Sequence, residues 1–157
     1  MQKSLVILLL FVVTIGILFL LLALISRSGT TPGLIDNKLT PCPKKPNCVC
    51  SEYIDDQSHY VEAIDLADKS AGKAMTIITV IIQQQGGKIV RQNQHYLAAT
   101  FSSKLFGFID DVEFRIDSQQ QKIHLRSAAR IGYSDFDVNR KRAVLLRDKI
   151  SQQLNTN

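Results

Sequence analysis

Phe108 to Ala129 reads FIDDVEFRIDSQQQKIHLRSAA, and this stretch decides the fold. Val112, Phe114 and Ile116 alternate with Asp111, Glu113 and Arg115, the period of two expected of a strand with one apolar and one charged face. After a polar turn from Asp117 to Gln121, the apolar face continues through Ile123, Leu125 and Ser127, and the other through Lys122, His124, Arg126 and Ala128. For the apolar sets to share a face, Ile116 must oppose Ile123 and Phe114 must oppose Leu125, which sets Glu113 opposite Arg126. A slip of one residue would turn each of these side chains to the wrong side.

Working outward, Lys88 to Gln92 and His95 to Ser102 read as two further strands joined by a tight turn at Asn93 and Gln94. Tyr60 to Leu66 reads as a strand ahead of them, and Asp68 as the N-cap of a helix running to about Gln84. In that helix Ala74, Ile78, Ile81 and Ile82 recur three and four apart, and Gly86 and Gly87 supply the stop. Val138 to Leu154 predicts a last helix with a seam of Ala143, Leu146, Ile150 and Leu154. The fold class is therefore α+β. Residues 59–155 form a β-α-β-β-β-β-α domain, an antiparallel sheet with both helices on one face and the other face partly wet.

The N-terminal side is of different character. Leu5 to Ile25 is apolar apart from Thr14 and Gly16, about 31 Å of helix, which matches the hydrocarbon core of a bilayer. A cleaved signal has an apolar stretch of about 7 to 15 residues, so residues 1–26 are expected to be a retained transmembrane or signal anchor, with residues 5–25 in the membrane. Residues 27–58 then read as a linker and a Pro/Cys-rich turn, mobile from Ser26 to Asn37.

Cys42, Cys48 and Cys50 lie in or beside that turn, which Pro41, Pro43 and Pro46 stiffen. A Cys42–Cys48 disulfide ranks first, unpaired thiols second and a metal last, because a zinc site needs a fourth ligand and a different spacing. Orientation sets two rules against each other. Arg27, Lys38, Lys44 and Lys45 follow the apolar run and only Lys3 precedes it, which by the positive-inside rule holds the domain in the cytosol. The short N-tail and the cysteines point outward, and the outer side is the expectation.

The formal charge is +5, and it is uneven: residues 51–121 carry six basic and ten acidic side chains, residues 122–157 eight and three. A basic face beside a membrane suits an anionic ligand or an acidic protein partner. Nucleic acid is not expected as a partner, since no aromatic-interleaved RNA motif is present.

Three segments carry a resemblance. They are Leu39 to Val49 with its prolines and cysteines, Phe108 to Phe114, and Arg126 to Asp135 continued by Asn139 to Arg142. Together they resemble the domain of unknown function 1499 family from Leu39 to near the end. That resemblance implies no agreed activity, and bacterial members that are often exported or membrane-associated; taken with the apolar run, the short N-tail and the cysteines, the expectation is a bacterial envelope protein, single-pass in the inner membrane with its domain on the periplasmic side. Two positions depart from the family pattern: Cys50 stands where a serine is usual and Asp137 where a glycine is common.

The densest polar constellation begins with Asp110, Asp111 and Glu113. It continues through Arg126, Arg130, Tyr133, Asp135, Asn139 and Arg140, with Arg142 beside it. It reads first as an ion-pair network tying the last hairpin to the last helix, with Asp135 or Asp137 capping that helix. The second reading is a set of forked arginine donors for a carboxylate, phosphate or headgroup, and the third enzymatic use of the carboxylates. His59, His95 and His124 read as surface or edge residues without ligand spacing, so neither a metal nor a cofactor is expected. The apolar stretch Leu105 to Phe108 reads as a core cover or a lip for an apolar ligand or membrane surface. The functional expectation is a membrane-anchored accessory or binding module, ahead of a structural or envelope-assembly scaffold and an unrecognised hydrolase.

Overall fold

The computed structural model describes residues 2–156 and opens with α1 (Gln2–Ser28), a helix of 27 residues. Its apolar side chains are exposed along the whole run, and only Ala23 and Ser26 are buried. A two-stranded hairpin follows, β1 (Leu34–Ile35) and β2 (Lys38–Leu39). Then come β3 (Cys48–Cys50), β4 (Ile64–Asp65), α2 (Ala71–Gln84), β5 (Lys88–Gln92) and β6 (Tyr96–Ser102). Strands β7 (Ile109–Asp117) and β8 (Lys122–Ala129) and helix α3 (Val138–Thr156) complete the chain.

The hairpin of β7 and β8 has the register that patterning dictates: Ile116 faces Ile123, Phe114 faces Leu125 and Glu113 faces Arg126. Around it the main sheet is open, in the order β3-β8-β7-β6-β5, and β4 also pairs with β8. All its strand pairs are antiparallel. One apolar face carries Phe114 and Leu125, and α2 and α3 lie on it with Ile78, Ile82, Leu146 and Ile150 completely buried. Burying each such side chain contributes about 1.5–3 kcal/mol, so this layer dominates stability.

Two local expectations are corrected. The strand expected over Tyr60 to Leu66 shrinks to β4, and Tyr60 makes only an isolated bridge to Cys50. The reason is that β3 already occupies the edge of β8 along Arg126 to Ala128. Asp68 does not cap α2, because Ala67 and Asp68 both sit in the left-handed region at φ 53° and 56°. Ser70, with extended backbone, accepts the Lys73 N–H instead. Gly86 ends the helix at φ 82° as expected, and a Cβ on Gly87 would come within 2.7 Å of Ile82 and Phe101.

The larger correction concerns the second face of the sheet. It stays exposed along β5 but is covered over β7 and β8, and residues 29–43 are not a free tether. The β1-β2 hairpin and the disulfide loop lie across it, forming a small second core of Leu39, Cys50, Tyr96 and Ala98. Beneath that cover Glu113 is fully buried and Arg126 nearly so. The driving force is pairing: Gly33 N–H donates to Glu113 at 2.9 Å, and the Tyr53 hydroxyl donates to the Leu39 carbonyl at 2.9 Å. A buried carboxylate left without donors would cost several kcal/mol.

Candidate functional site

The charged constellation resolves into separate groups. The innermost lies under the Gly33 strap, where the Tyr96 hydroxyl donates to Glu113 Oε1 at 2.5 Å and Arg126 donates to Oε2 at 3.2 Å. Burial pushes the Glu113 carboxyl above its ordinary range against both partners, and it pushes the Tyr96 phenol up as well. Arg126 Nε is buried without a hydrogen-bond partner.

The second group fastens α1 to the sheet. Arg130 donates through Nε and one terminal nitrogen to both oxygens of Asp111, at 2.8 to 3.1 Å. Its other terminal nitrogen donates to the Ser26 carbonyl at 3.2 Å and to the Gly29 carbonyl. Ser26 adds to the junction, its hydroxyl accepting the Ile109 N–H at 2.8 Å. Adjacent Asp110 points to the other side of β7, where Arg142 meets it at 2.9 Å. Burial raises the Asp110 carboxyl, and Arg142 acts in the opposite direction.

Asp135 caps α3, accepting the Asn139 backbone N–H at 2.7 Å and its side-chain amide at 2.8 Å. Asn139 in turn accepts from Ser127 at 2.5 Å. Arg140 lies apart, holding the carbonyls of Tyr60 and Ser58 at 2.8 and 2.6 Å. Tyr133 joins no group and is 70% exposed.

Two cavities flank the end of β8. One, of about 490 Å³, is walled by Ile25, Ser28 and Gly29 on the helix side and by Asp111, Arg126 and Arg130 on the sheet side. The other, about 510 Å³, is mainly apolar and lies between α1 and the start of α3, with Asp110 and Asp135 at its border.

Two features escaped the sequence reading. His124, expected at the surface, is buried beside Ser51 and 3.7 Å from Glu52, and burial lowers its pKa. The turn that brings Ser51 and Glu52 under β8 gave no periodic signal. The second is Asp56, Ser58 and His59, which converge as a serine, a histidine and a carboxylate. Ser58 and Asp56 both bond His59 Nδ1, at 3.1 and 2.7 Å, while Nε2 bonds the Lys45 carbonyl at 3.0 Å. In a nucleophilic triad the serine and the carboxylate use opposite ring nitrogens. This group braces a loop instead.

Cys42 and Cys48 are disulfide-bonded, with Cα atoms 5.7 Å apart, and Cys50 is free and buried. Burial pushes the Cys50 thiol up to about 11. Among the described residues no group of three or more His, Cys, Asp or Glu side chains is arranged to hold a metal ion.

Residues 38–150 match the family described as "Protein of unknown function (DUF1499)". The chain belongs to that family. In this DUF1499 protein Asp137 and Cys50 take defined places in the fold. Asp137 sits at φ 63°, the region glycine favours, and Cys50 pairs in β3 opposite Arg126. No curated protein matches the chain. Among solved structures it is similar to the vertebrate conserved region of human METTL16, at 12% identity and a TM-score of 0.37, covering 54% of this chain and 74% of that one. A likeness that distant carries no functional argument.

Proposed function

We propose that the chain is a membrane-anchored binding module that holds an anionic group, such as a phosphate or carboxylate, beside the end of its apolar helix. The observation that carries this reading is Arg126, almost fully buried, with an unpartnered Nε, on the wall of the cavity at Ile25 to Gly29. A buried guanidinium nitrogen without an acceptor is costly, and an anion supplied by a ligand relieves that cost. The charged side chains bordering the cavity are one carboxylate and two arginines, a set suited to holding an anion rather than to general acid–base work.

Helix α1 is long and apolar enough to serve as a membrane anchor or a signal sequence. We read it as a retained anchor of a bacterial inner membrane, because the domain is fastened to its last turn through Ser26 and Arg130. The Cys42–Cys48 disulfide supports the periplasmic side.

The scaffold reading keeps one observation of its own: Asp110 and Asp111 each already have an arginine partner. The test is thermal unfolding of the full chain in detergent micelles with and without glycerol phosphate. The binding reading expects stabilisation that disappears in a folded Glu113→Gln/Arg126→Met double variant, which removes both charges of the pair together. No stabilisation of the parent chain, combined with a large loss of Tm in the variant, assigns the cluster to scaffolding.

A further inference from the structure

The apolar cavity of about 510 Å³ shares Ala129 and Ile131 with the arginine cavity but is bounded by an earlier part of the apolar helix, Phe19 and Leu22 instead of Ile25 to Gly29. Phe19 and Leu22 of α1 form one wall, Ile109 and Ala129 at the strand ends with the adjoining Phe108 and Ile131 the opposite wall, and Phe106 and Phe136 line it as well. Phe19 stacks on Phe106 with ring centroids 4.7 Å apart and tilts against Phe108 at 6.3 Å. Arg27 donates to the Gly107 carbonyl at 3.3 Å, so the loop is held to the helix at two levels.

These contacts set a depth. Phe19 precedes Ile25, the last residue of the apolar run, by six residues, which is about 9 Å along the helix axis. A loop packed on Phe19 therefore lies below the end of the membrane span, at the depth of about 5–10 Å that interfacial apolar faces reach. The side chains lining the cavity fit that solvent: Leu105 in the loop is 81% exposed and Phe136 in the turn before α3 is 87% exposed, a costly display in water but not in hydrocarbon. Tyr133, also exposed, and the flanking Lys104 and Arg27 are the residue types that sit at a headgroup boundary.

We propose that this cavity takes the hydrocarbon chain of a bilayer phospholipid, entering between the Leu105–Phe108 loop and the turn at Tyr133 to Phe136. The inference rests on the reading of α1 as a retained membrane anchor. It does not depend on the arginine cavity, since Arg126 does not line this one. A lipid chain is favoured over another protein because the cavity shares a wall with the membrane helix itself and opens at leaflet depth.

The test is photo-crosslinking of the full chain in phosphatidylcholine vesicles that contain a phospholipid with a diazirine in mid-chain, followed by mass mapping. The expected result is adducts on Phe108, Ile131 or Phe136 in addition to those on α1. A Val138→Trp variant, which fills the cavity from the start of α3, is expected to lose those adducts and keep the ones on Leu5 to Leu18. Adducts confined to α1 in the parent chain overturn the proposal, whether or not the variant folds. So do sheet and loop adducts that Val138→Trp leaves unchanged while its circular dichroism matches the parent. The mass of the N-terminal peptide from the same sample shows whether α1 was retained, so a failed anchor is distinguished from an empty cavity. A parent chain that does not respond to glycerol phosphate but shows the adducts removes only the anion reading.

Discussion

Arg130 holds both carboxylate oxygens of Asp111 and, with its remaining nitrogen, the carbonyls of Ser26 and Gly29. One side chain thereby ties the last strand to its neighbour and to the end of the apolar helix. Both partners are largely buried, so removing one strands the other charge. Arg130→Ala is expected to cost about 3–5 kcal/mol in urea unfolding, whereas the paired change Asp111→Leu/Arg130→Met is expected to cost much less. Equal losses in the two would show that the ion pair itself, and not an orphaned charge, is what matters.

Tyr96 is the neutral donor to buried Glu113. Tyr96→Phe keeps the ring and removes only the hydroxyl, while Oε1 keeps the Gly33 N–H, so the expected loss is about 1.5–3 kcal/mol, the contribution of one hydrogen bond to a charged group. Unfolding midpoints at constant m-value check it.

Cys50 tests burial directly. Its thiol is inside the second core and its pKa is pushed up to about 11, so very little thiolate is present at neutral pH. Maleimide is expected to leave the folded chain unmodified, to label one cysteine after denaturation and three after denaturation with reduction. On intact cells, labelling of Cys42 and Cys48 that appears only after an impermeant reductant would put the domain outside the cytosol.

His124 gives a pH dependence whose sign follows from burial. Its folded pKa lies below the ordinary 6.5, so the neutral ring is the form the fold accepts. At pH above 6.5 its contribution is complete, and as pH falls below that value the unfolded chain takes up a proton that the folded chain resists. Stability from this group declines until His124 itself protonates. Asp110 and Glu113, raised by burial, push the other way, so the measurement is a difference. Tm recorded from pH 8 to about 5 is expected to fall more steeply in the parent than in His124→Gln.

Gly87 packs too closely for a side chain, since an added Cβ meets Ile82 and Phe101. Gly87→Ala is expected to cost about 1–3 kcal/mol by overpacking, with Gly72→Ala, in open space on α2, as a neutral or stabilising control.

How far the sequence could be read depended on how local the cause was. The Glu113–Arg126 pairing was legible because a strand period of two and a short polar turn leave one register that buries Phe114 and Leu125 together. The seam of α3 was legible for the same reason, and Ala143, Leu146, Ile150 and Leu154 are all fully buried. The Asp135 cap was legible as one of two candidates, since both lie just before the helix. Ser70 was not, because Asp68 is equally suited by composition and only the backbone turn at Ala67 and Asp68 removes it.

The constellation of charges was visible as composition but not as geometry. Adjacent Asp110 and Asp111 had to face opposite ways, yet which arginine each would meet depends on where α3 and the end of α1 dock, far away in sequence. His124 looked exposed because its strand face alternates with the core, and nothing periodic marks the turn at Ser51 and Glu52 that covers it.

From local order alone, the sequence determined an apolar N-terminal helix, a hairpin with one possible register, and two helices whose apolar stripes require the same face of a sheet. Side-chain period, turn chemistry and hydrophobic burial act over a few residues, so one dimension suffices for them. Tertiary structure alone decided that residues 29–43 close over the second face and bury Glu113 and Arg126. It also decided that Arg130 fastens the sheet to the end of α1, and that Phe19, Phe106 and Phe108 enclose a cavity beside that helix. Those arrangements depend on pairings across some 80 to 104 residues, where the reward is meeting a buried donor or acceptor and no sequence period records the partner.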